Sequence, residues 1–358
     1  QIANLTTDEL SALTTSQIKS LSTSSLNSIS SSNLFSLSSN SLSALTTNQF
    51  VNLSTQFLSS LSTKQLSALS SSNISLMSSG QFVSLGTNGI SSFNAGQIAA
   101  LGTSGISSLT SSQLSSITTS SISGLTSDQI SALGSANIKF LSNSQLQSLS
   151  SKALSGLSSA QVIALGTSGI SAFKTSQLSS LSNANISNLT SDQLKALGTS
   201  GVAALSTSQI QSLTSANITG LTSAQIGAFT PSGVGALTST QVNSLGTTGL
   251  VSFSANQFKS LSTSVISNLS SSQIANLTTD ELSALTTSQI QALGSSGLNS
   301  ISTNSITSLS TTSISSLTTA QIRALPTSKI ALLSTSQLQA FTPNQNIVLI
   351  QHILGINI

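Results

Sequence analysis

The feature that most constrains this chain is an apolar period of eight residues that runs through nearly its whole length. Leu, Ile, Met or Phe occupies all 43 positions found in steps of eight from Leu5 to Phe341. Leu, Ile, Val or Phe occupies all 42 positions found in the same steps from Leu10 to Leu338. Because no insertion or deletion shifts this register, each octapeptide must occupy nearly the same environment. Such a pattern is typical of a solenoid or a fibre.

Each octapeptide carries the signals of a helix start. In Leu13 to Leu21, a helix that begins after Thr14 has Gln17 as its third residue, and Thr-x-x-Gln is a capping box. One continuous helix is excluded, because eight residues at about 100° each rotate the apolar stripe by about 80° per octapeptide. The sequence therefore predicts short helices that stop and restart in every octapeptide.

Successive octapeptides are of two kinds, so the true sequence repeat is a pair of octapeptides. In one set of 21, which runs from Gln17 to Gln337 in steps of 16, 19 octapeptides have Gln at the third helical position (N3). The alternate 21 have no Gln there, and they carry glycine at seven N-cap positions and at seven N3 positions. One half of the repeat is thus well capped, and the other half tolerates glycine.

Two folds suit a 16-residue repeat. In the first, residues 1–341 form a thin all-α solenoid of about 21 repeats, each made of two short capped helices. In the second, each repeat is one rung of a β-solenoid, which the abundant Ser and Thr and the 22 glycines favour. Because the apolar spacing of five and three residues does not alternate as a strand does, we predict the all-α solenoid.

This prediction assigns definite roles to side chains. The representative core residues are Leu13, Ile18, Leu21, Leu125, Ile130 and Leu133. The representative capping residues are Thr14, Gln17, Thr126 and Gln129. The core columns would be continuous, and stability would accumulate through contacts between neighbouring repeats.

The segment 342–358 differs from the repeats because it is richer in aliphatic residues. We interpret it as a C-terminal cap over the last repeat, or as an assembly tail that adds to a neighbouring chain. The residues expected to act there are Ile347, Val348, Leu349, Ile350, Ile353 and Leu354. A segment of this length is too short to cross a membrane as a helix, for which about 20 residues are needed.

Composition restricts the partners. Charged residues make up only 4% of the chain, and nine Lys and Arg stand against six Asp and Glu. The basic residues are scattered, so no electrostatic footprint for nucleic acid exists. A surface so poor in charge offers little repulsion between copies, and we expect a homo-oligomer or a filament without membrane insertion. Surface glycans on Ser and Thr are further candidate partners.

No set of residues predicts catalysis, a metal or a cofactor. His352 is the sole histidine, and Ser16 with Lys19 matches Ser-x-x-Lys without the companion motifs of that enzyme class. Cysteine is absent. Four acidic residues are interpreted as first-turn partners of helix dipoles: Asp8, Glu9, Asp280 and Glu281. The last pair repeats the first, since Gln1 to Ile18 recurs unchanged as Gln273 to Ile290. We expect no enzyme.

The octapeptides resemble a known class of repeats. Leu125-Thr126-Ser127-Asp128-Gln129-Ile130-Ser131-Ala132-Leu133 is similar to the tandem repeats of very large secreted or surface-attached bacterial proteins, often called adhesin-like. The resemblance covers residues 1–341 and implies an exported, extended protein without catalytic residues. Calcium-binding secretion repeats and a globular adhesive domain are not found in this sequence.

Together, these observations predict a structural function. We expect an extracellular or cell-surface solenoid that serves as the subunit or shaft of a filament, sheath or surface layer. The alternative is an adhesin stalk, or a repeat surface that binds a ligand or ice through regularly spaced Thr. Ser and Thr interchange freely at the cap positions, as in Ser22 and Thr190, which disfavours a site that needs the threonine methyl group.

Overall fold

The computed structural model describes residues 2–356, and over that range the chain is all-α with no strand. The prediction of an all-α fold is confirmed, and the β-solenoid alternative is wrong. Helices prevail because each short segment is capped and buries its apolar residues against other segments, which offsets the poor helix propensity of Ser. Two compact units are present, Gln1–Leu181 and Ser182–Ile358.

The first unit contains α1 to α20. Their bounds are α1 Thr7–Ser11, α2 Thr15–Ser20, α3 Thr23–Asn27, α4 Ser39–Ser43, α5 Thr47–Val51, α6 Thr55–Ser59, α7 Thr63–Ser67, α8 Ser71–Ile74, α9 Ser79–Ser84, α10 Gly86–Ser91, α11 Ala95–Ala100, α12 Gly102–Ser108, α13 Ser111–Ser116, α14 Thr119–Ile122, α15 Ser127–Ile138, α16 Asn143–Ser148, α17 Ser151–Leu154, α18 Ser159–Ala164, α19 Gly166–Ala172 and α20 Thr175–Leu178. Two short 3-10 helices, Ile2–Asn4 and Leu34–Ser36, belong to the same unit.

The second unit contains α21 to α39. Their bounds are α21 Asn183–Ser187, α22 Ser191–Ala196, α23 Gly198–Ala203, α24 Thr207–Ser212, α25 Ser215–Ile218, α26 Ser223–Ile226, α27 Pro231–Gly235, α28 Ser239–Leu250, α29 Ala255–Lys259, α30 Thr263–Ser267, α31 Ser271–Ala275, α32 Thr279–Ala284, α33 Thr287–Ala292, α34 Gly294–Ser300, α35 Thr311–Ser315, α36 Thr319–Ala324, α37 Thr327–Ile330, α38 Thr335–Gln339 and α39 Pro343–Leu354. A 3-10 helix at Ile306–Ser308 also lies here.

Most helices are separated by a corner of two extended residues. Between α12 and α13, Leu109 (φ −64°, ψ 139°) and Thr110 (φ −69°, ψ 161°) are both extended. The Thr110 side chain then accepts a hydrogen bond from the backbone N–H of Gln113 and starts α13. The apolar residue of the corner points inward, and the hydroxyl residue caps the next helix.

Glycine replaces this corner where it follows the helix directly. Gly86, for example, has φ +65°, and the preceding Leu85 remains in the right-handed helical region. All seven glycines found at N-cap positions share this left-handed conformation, with φ between +63° and +66°. A residue with positive φ ends one helix and allows the next to begin at once. Glycine adopts this conformation without strain, which explains why only glycine forms this corner.

The packing period is longer than the expected two-helix coil. Helix α11, which begins at Ala95, packs against α14, which begins at Thr119, and α29 packs against α32 in the same way. The packed helices therefore start three octapeptides apart in the chain. Because an extended corner changes the chain direction without reversing it, two helices do not close a turn. We call one turn of the resulting coil, three to four octapeptides, a layer.

The apolar residues of each octapeptide lie inside the layers. Leu125 is 3% exposed, Ile130 is fully buried and Leu133 is 2% exposed. Ile18 is also buried, whereas Leu13 and Leu21 are only half-buried. These two residues belong to the first layer, and no preceding layer covers it within residues 2–356.

Leu133 and Ser131 offer a matched pair for this inside and outside assignment. Leu133→Ala removes a buried side chain between layers and should lower the free energy of unfolding by about 2–5 kcal/mol. Ser131→Ala changes an exposed residue of the same helix and should alter it by less than about 0.5 kcal/mol. Urea unfolding followed by circular dichroism measures both, and equal effects would refute the assignment.

Candidate functional site

The layers are joined by buried glutamine side chains at the N3 position. Gln129 is 1% exposed, and its Oε1 accepts a hydrogen bond from the Thr126 backbone N–H at 3.0 Å. Its Nε2 donates to the carbonyl oxygens of Ile98 at 2.9 Å and Ala99 at 3.3 Å. One carboxamide therefore closes the capping box of its own helix and also satisfies the free carbonyls at the end of α11 in the layer before it.

The same arrangement recurs along both units, and we call it the carboxamide ladder. In its bonds, Nε2 reaches a carbonyl 27 to 31 residues earlier in the chain. Its buried members in the first unit are Gln49, Gln65, Gln81, Gln97, Gln113, Gln129, Gln145, Gln161 and Gln177. Its buried members with such bonds in the second unit are Gln225, Gln241, Gln257, Gln273, Gln289, Gln321, Gln337 and Gln345.

The sequence pattern predicted the capping role of the glutamines but not this second role. A signal for it was present, because Glu serves a capping box as well as Gln does. A strong preference for Gln over Glu means that the position needs a hydrogen-bond donor as well as an acceptor. The hydrogen bond from Nε2 to the preceding layer explains why a donor is needed.

Gln17 shows the capping role alone. The Thr14 backbone N–H donates to Oε1 of Gln17 at 2.8 Å, and the Gln17 N–H donates to the Thr14 hydroxyl at 3.3 Å. Gln17 is exposed, and within residues 2–356 its side chain makes no bond outside its own octapeptide. Because Gln1 to Ile18 recurs as Gln273 to Ile290, its counterpart Gln289 has the same local sequence and is buried.

Lys329 stands at N3 in one of the octapeptides that lack glutamine there. It is 8% exposed, and its Nζ donates to the carbonyl oxygens of Asn299 at 2.5 Å and Ile301 at 2.6 Å. Burial lowers the pKa of this ammonium group. The ammonium group thus supplies to the preceding layer the kind of donor that a ladder glutamine supplies elsewhere.

Glu281 occupies another N3 position, and there the donor is lacking. Its Oε2 accepts bonds from the Thr278 backbone N–H at 2.8 Å and from the Thr278 hydroxyl at 3.0 Å, as a glutamine Oε1 does. Its Oε1 is buried without a hydrogen-bond partner. Burial raises the pKa of this carboxyl group, and the nearby Asp280 adds to the rise. The interpretation of Glu281 as a simple helix-dipole partner is therefore incomplete.

The aliphatic segment near the C-terminus forms helix α39. Val348 and Leu349 are buried against the preceding layer, and His352 Nε2 lies 2.7 Å from the carbonyl oxygen of Leu325. That carbonyl lies 27 residues earlier in the chain, within the range that the ladder carboxamides span. The other aliphatic residues of the segment face outward and are between 51% and 63% exposed: Ile347, Ile350, Ile353 and Leu354.

The remaining candidate residues are Ser16, Lys19 and His352. Ser16 and Lys19 are exposed on α2 in the first unit, and His352 belongs to the second. Over residues 2–356, no three His, Cys, Asp or Glu side chains lie close enough together to hold a metal ion. The groove lined by Ser62, Thr63 and Thr87 is mainly polar. No helix in the described part of the chain is both long and apolar enough to cross a membrane.

A family model matches part of the chain. Residues 199–231 match a family model described as the ALTTAQ repeat. This segment contains octapeptides of both kinds, including Ser206-Thr207-Ser208-Gln209. No curated protein matches the chain. The chain is thus a repeat protein whose segment 199–231 is similar to the ALTTAQ repeat.

The paired glutamines Gln289 and Gln17 separate the two roles of the ladder. Gln289→Ala removes the donor to the carbonyl oxygens of Phe258, Lys259 and Leu261. Gln17→Ala removes only a capping interaction in the same local sequence. Because buried carbonyls left without a donor cost about 1–3 kcal/mol, we expect Gln289→Ala to destabilise the chain by about that much more than Gln17→Ala.

Urea unfolding and amide hydrogen exchange measure this difference. In Gln289→Ala, faster exchange should centre on α29 and α33, which the side chain joins. Equal unfolding free energies for the two variants would show that the ladder bonds add nothing beyond capping.

Proposed function

We propose that this chain is a non-enzymatic structural segment of an extracellular or cell-surface assembly. It would serve as the subunit or shaft of a filament, sheath or surface layer. The observation that carries the proposal is the carboxamide ladder, which makes the contact between successive layers the same throughout each unit. In such repeats stability grows with each added contact between neighbours, so that length is gained without a new core.

The chemistry of the surface supports this function. With 4% charged residues, the surface offers hydroxyl and amide groups and little electrostatic repulsion. The placement at the cell surface rests on the resemblance of the octapeptides to the repeats of secreted and surface-attached bacterial proteins. The match of residues 199–231 to the ALTTAQ repeat adds support for a repeat segment and carries no activity with it.

The alternative of a threonine surface for a ligand or for ice has weaker support. The hydroxyl groups at the cap positions are engaged in starting helices, as Thr126 is with the N–H of Gln129 at 3.2 Å. Their spacing follows the corners of the backbone, and Ser replaces Thr there freely. We therefore assign the hydroxyl groups at the cap positions to starting helices.

The partner that we propose is a second copy of this chain, docked through α39. Ile347, Ile350 and Leu354 follow the spacing i, i+3 and i+7, which places them on one face of the helix. That face is exposed, and α39 carries no Lys, Arg, Asp or Glu that would repel a second copy. A continuous aliphatic face on a helix end is a feature of association sites.

Assembly is tested with the purified chain by sedimentation velocity and negative-stain electron microscopy. We expect the wild type to form oligomers or fibres, and Ile350→Asp to remain monomeric because it buries a charge in the proposed contact. The control is Val83→Asp, which places the same charge on an exposed aliphatic residue of α9 and should leave assembly unchanged.

Two outcomes would contradict this assignment. A wild type that stays monomeric at every concentration would show that the chain does not self-assemble and would instead favour a spacer or stalk. Assembly of Ile350→Asp to the same extent as the wild type would exclude the α39 face as the contact.

A further inference from the structure

Glu281 stands at N3 of its helix. Other polar N3 residues of the second unit point toward the preceding layer. Asn217 Nδ2 donates to the carbonyl oxygen of Ser187 at 3.3 Å. Ser313 Oγ donates to that of Leu285 at 3.4 Å, and Gln345 Nε2 donates to that of Leu317 at 2.7 Å. Like Glu281, each of these residues stands at N3 of its octapeptide, and each donates to a carbonyl 28 to 30 residues earlier in the chain. These polar side chains thus act as donors at this place.

An ionised carboxylate does not supply a donor. It accepts hydrogen bonds only, whereas a neutral carboxylic acid carries one O–H that donates. Oε2 of Glu281 already accepts two bonds from Thr278, and Oε1 is buried without a partner at the end of the side chain where glutamine carries its NH₂ group. Burying a charge in this position without a donor facing it is costly.

We infer that Glu281 is held as a neutral carboxylic acid whose Oε1–H takes the place of the glutamine amide, and that its ionisation loosens the contact of α32 with the preceding layer. The residue is then a proton-dependent joint between α32 and the preceding layer. By the register of the neighbouring glutamines, the acceptors for this proton are the backbone carbonyls between Leu250 and Phe253.

The charged groups around Glu281 are few. Helix α32 packs against α29 and the 3-10 helix Ile306–Ser308. Helix α29 carries one charged residue, Lys259, which is exposed to solvent, and the 3-10 helix carries none. Asp280, on α32 itself, is an exposed like charge that disfavours ionisation of Glu281. No close cation is therefore present on these elements to stabilise a buried carboxylate.

Glu9 is a natural control within the same chain. It has the local sequence of Glu281, because both lie in the duplicated block, and it makes the same bonds to its cap residue, Thr6. Glu9 is exposed, however, and those bonds lower the pKa of its carboxyl group. The two carboxyl groups differ chiefly in whether a preceding layer covers them.

The sign of the pH effect follows from the direction of the shift. Since the pKa of Glu281 is higher in the folded state, the folded chain binds more protons than the unfolded chain between the two pKa values. Stability from this group is complete below its unfolded pKa and is lost as the pH rises through its folded pKa. The lowered pKa of Glu9 works in the opposite direction.

The first test compares wild type, Glu281→Gln and Glu9→Gln by thermal unfolding from about pH 4 to about pH 8, which spans the ordinary carboxyl range and its raised values. We expect the melting temperature of the wild type to fall as the pH rises and that of Glu281→Gln to lose this fall. Glu9→Gln should keep it. The same fall in Glu281→Gln as in the wild type would overturn the inference.

A second test observes the proton directly and does not depend on how a variant folds. The chain contains only two glutamates, so ¹³C labelling of their carboxyl groups gives one signal for Glu9 and one for Glu281. We expect the Glu281 signal to titrate above the ordinary glutamate range and the Glu9 signal below it. Titration of the Glu281 signal at or below its ordinary value would also overturn the inference.

Discussion

The structure depends on a single bifunctional contact, the carboxamide of glutamine at the start of a short helix. Such short helices leave most of their backbone donors and acceptors without internal partners. In Gln129, Oε1 receives a donor at the beginning of its own helix, while Nε2 serves the carbonyls of Ile98 and Ala99 at the end of another. One side chain thus satisfies an unpaired N–H at one helix start and unpaired carbonyls at another helix end. That pairing permits a fold built from helices that would not be stable alone.

Much of this fold was predictable from the sequence, because local and global signals agree. The capping box with Gln marks helix starts in every second octapeptide, and the octapeptide period excludes a continuous helix and favours short helices over pleated strands. The number of helices per turn was not predictable in the same way. It depends on how far an extended corner such as Leu109 and Thr110 redirects the chain, and no residue pattern encodes that angle. The two-octapeptide alternation of the sequence is therefore shorter than the turn of the coil.

The alternation acquires a physical meaning once the layers are seen. Octapeptides rich in Gln at N3 alternate with varied ones along the chain. In some of the varied octapeptides N3 is a closely packed glycine: a Cβ added at Gly89 would lie 2.8 Å from Cβ of Leu85, which directly precedes its own helix, and 3.1 Å from Cδ1 of Leu66, 23 residues earlier. In others N3 is a short donor to the preceding layer, such as Ser313. The glycine-tolerant half of the repeat is thus a close-packed half.

The duplicated block separates what a local sequence specifies from what its position specifies. Glu9 and Glu281 have the same neighbours in the chain, and the local pattern assigns both the same role as first-turn acids. In the structure one is solvated with a lowered pKa, and the other is buried with a raised pKa. The difference arises because a preceding layer covers Glu281 and none covers Glu9, and local pattern does not contain that information. Side-chain chemistry in a repeat protein is therefore a property of place in the stack as much as of residue type.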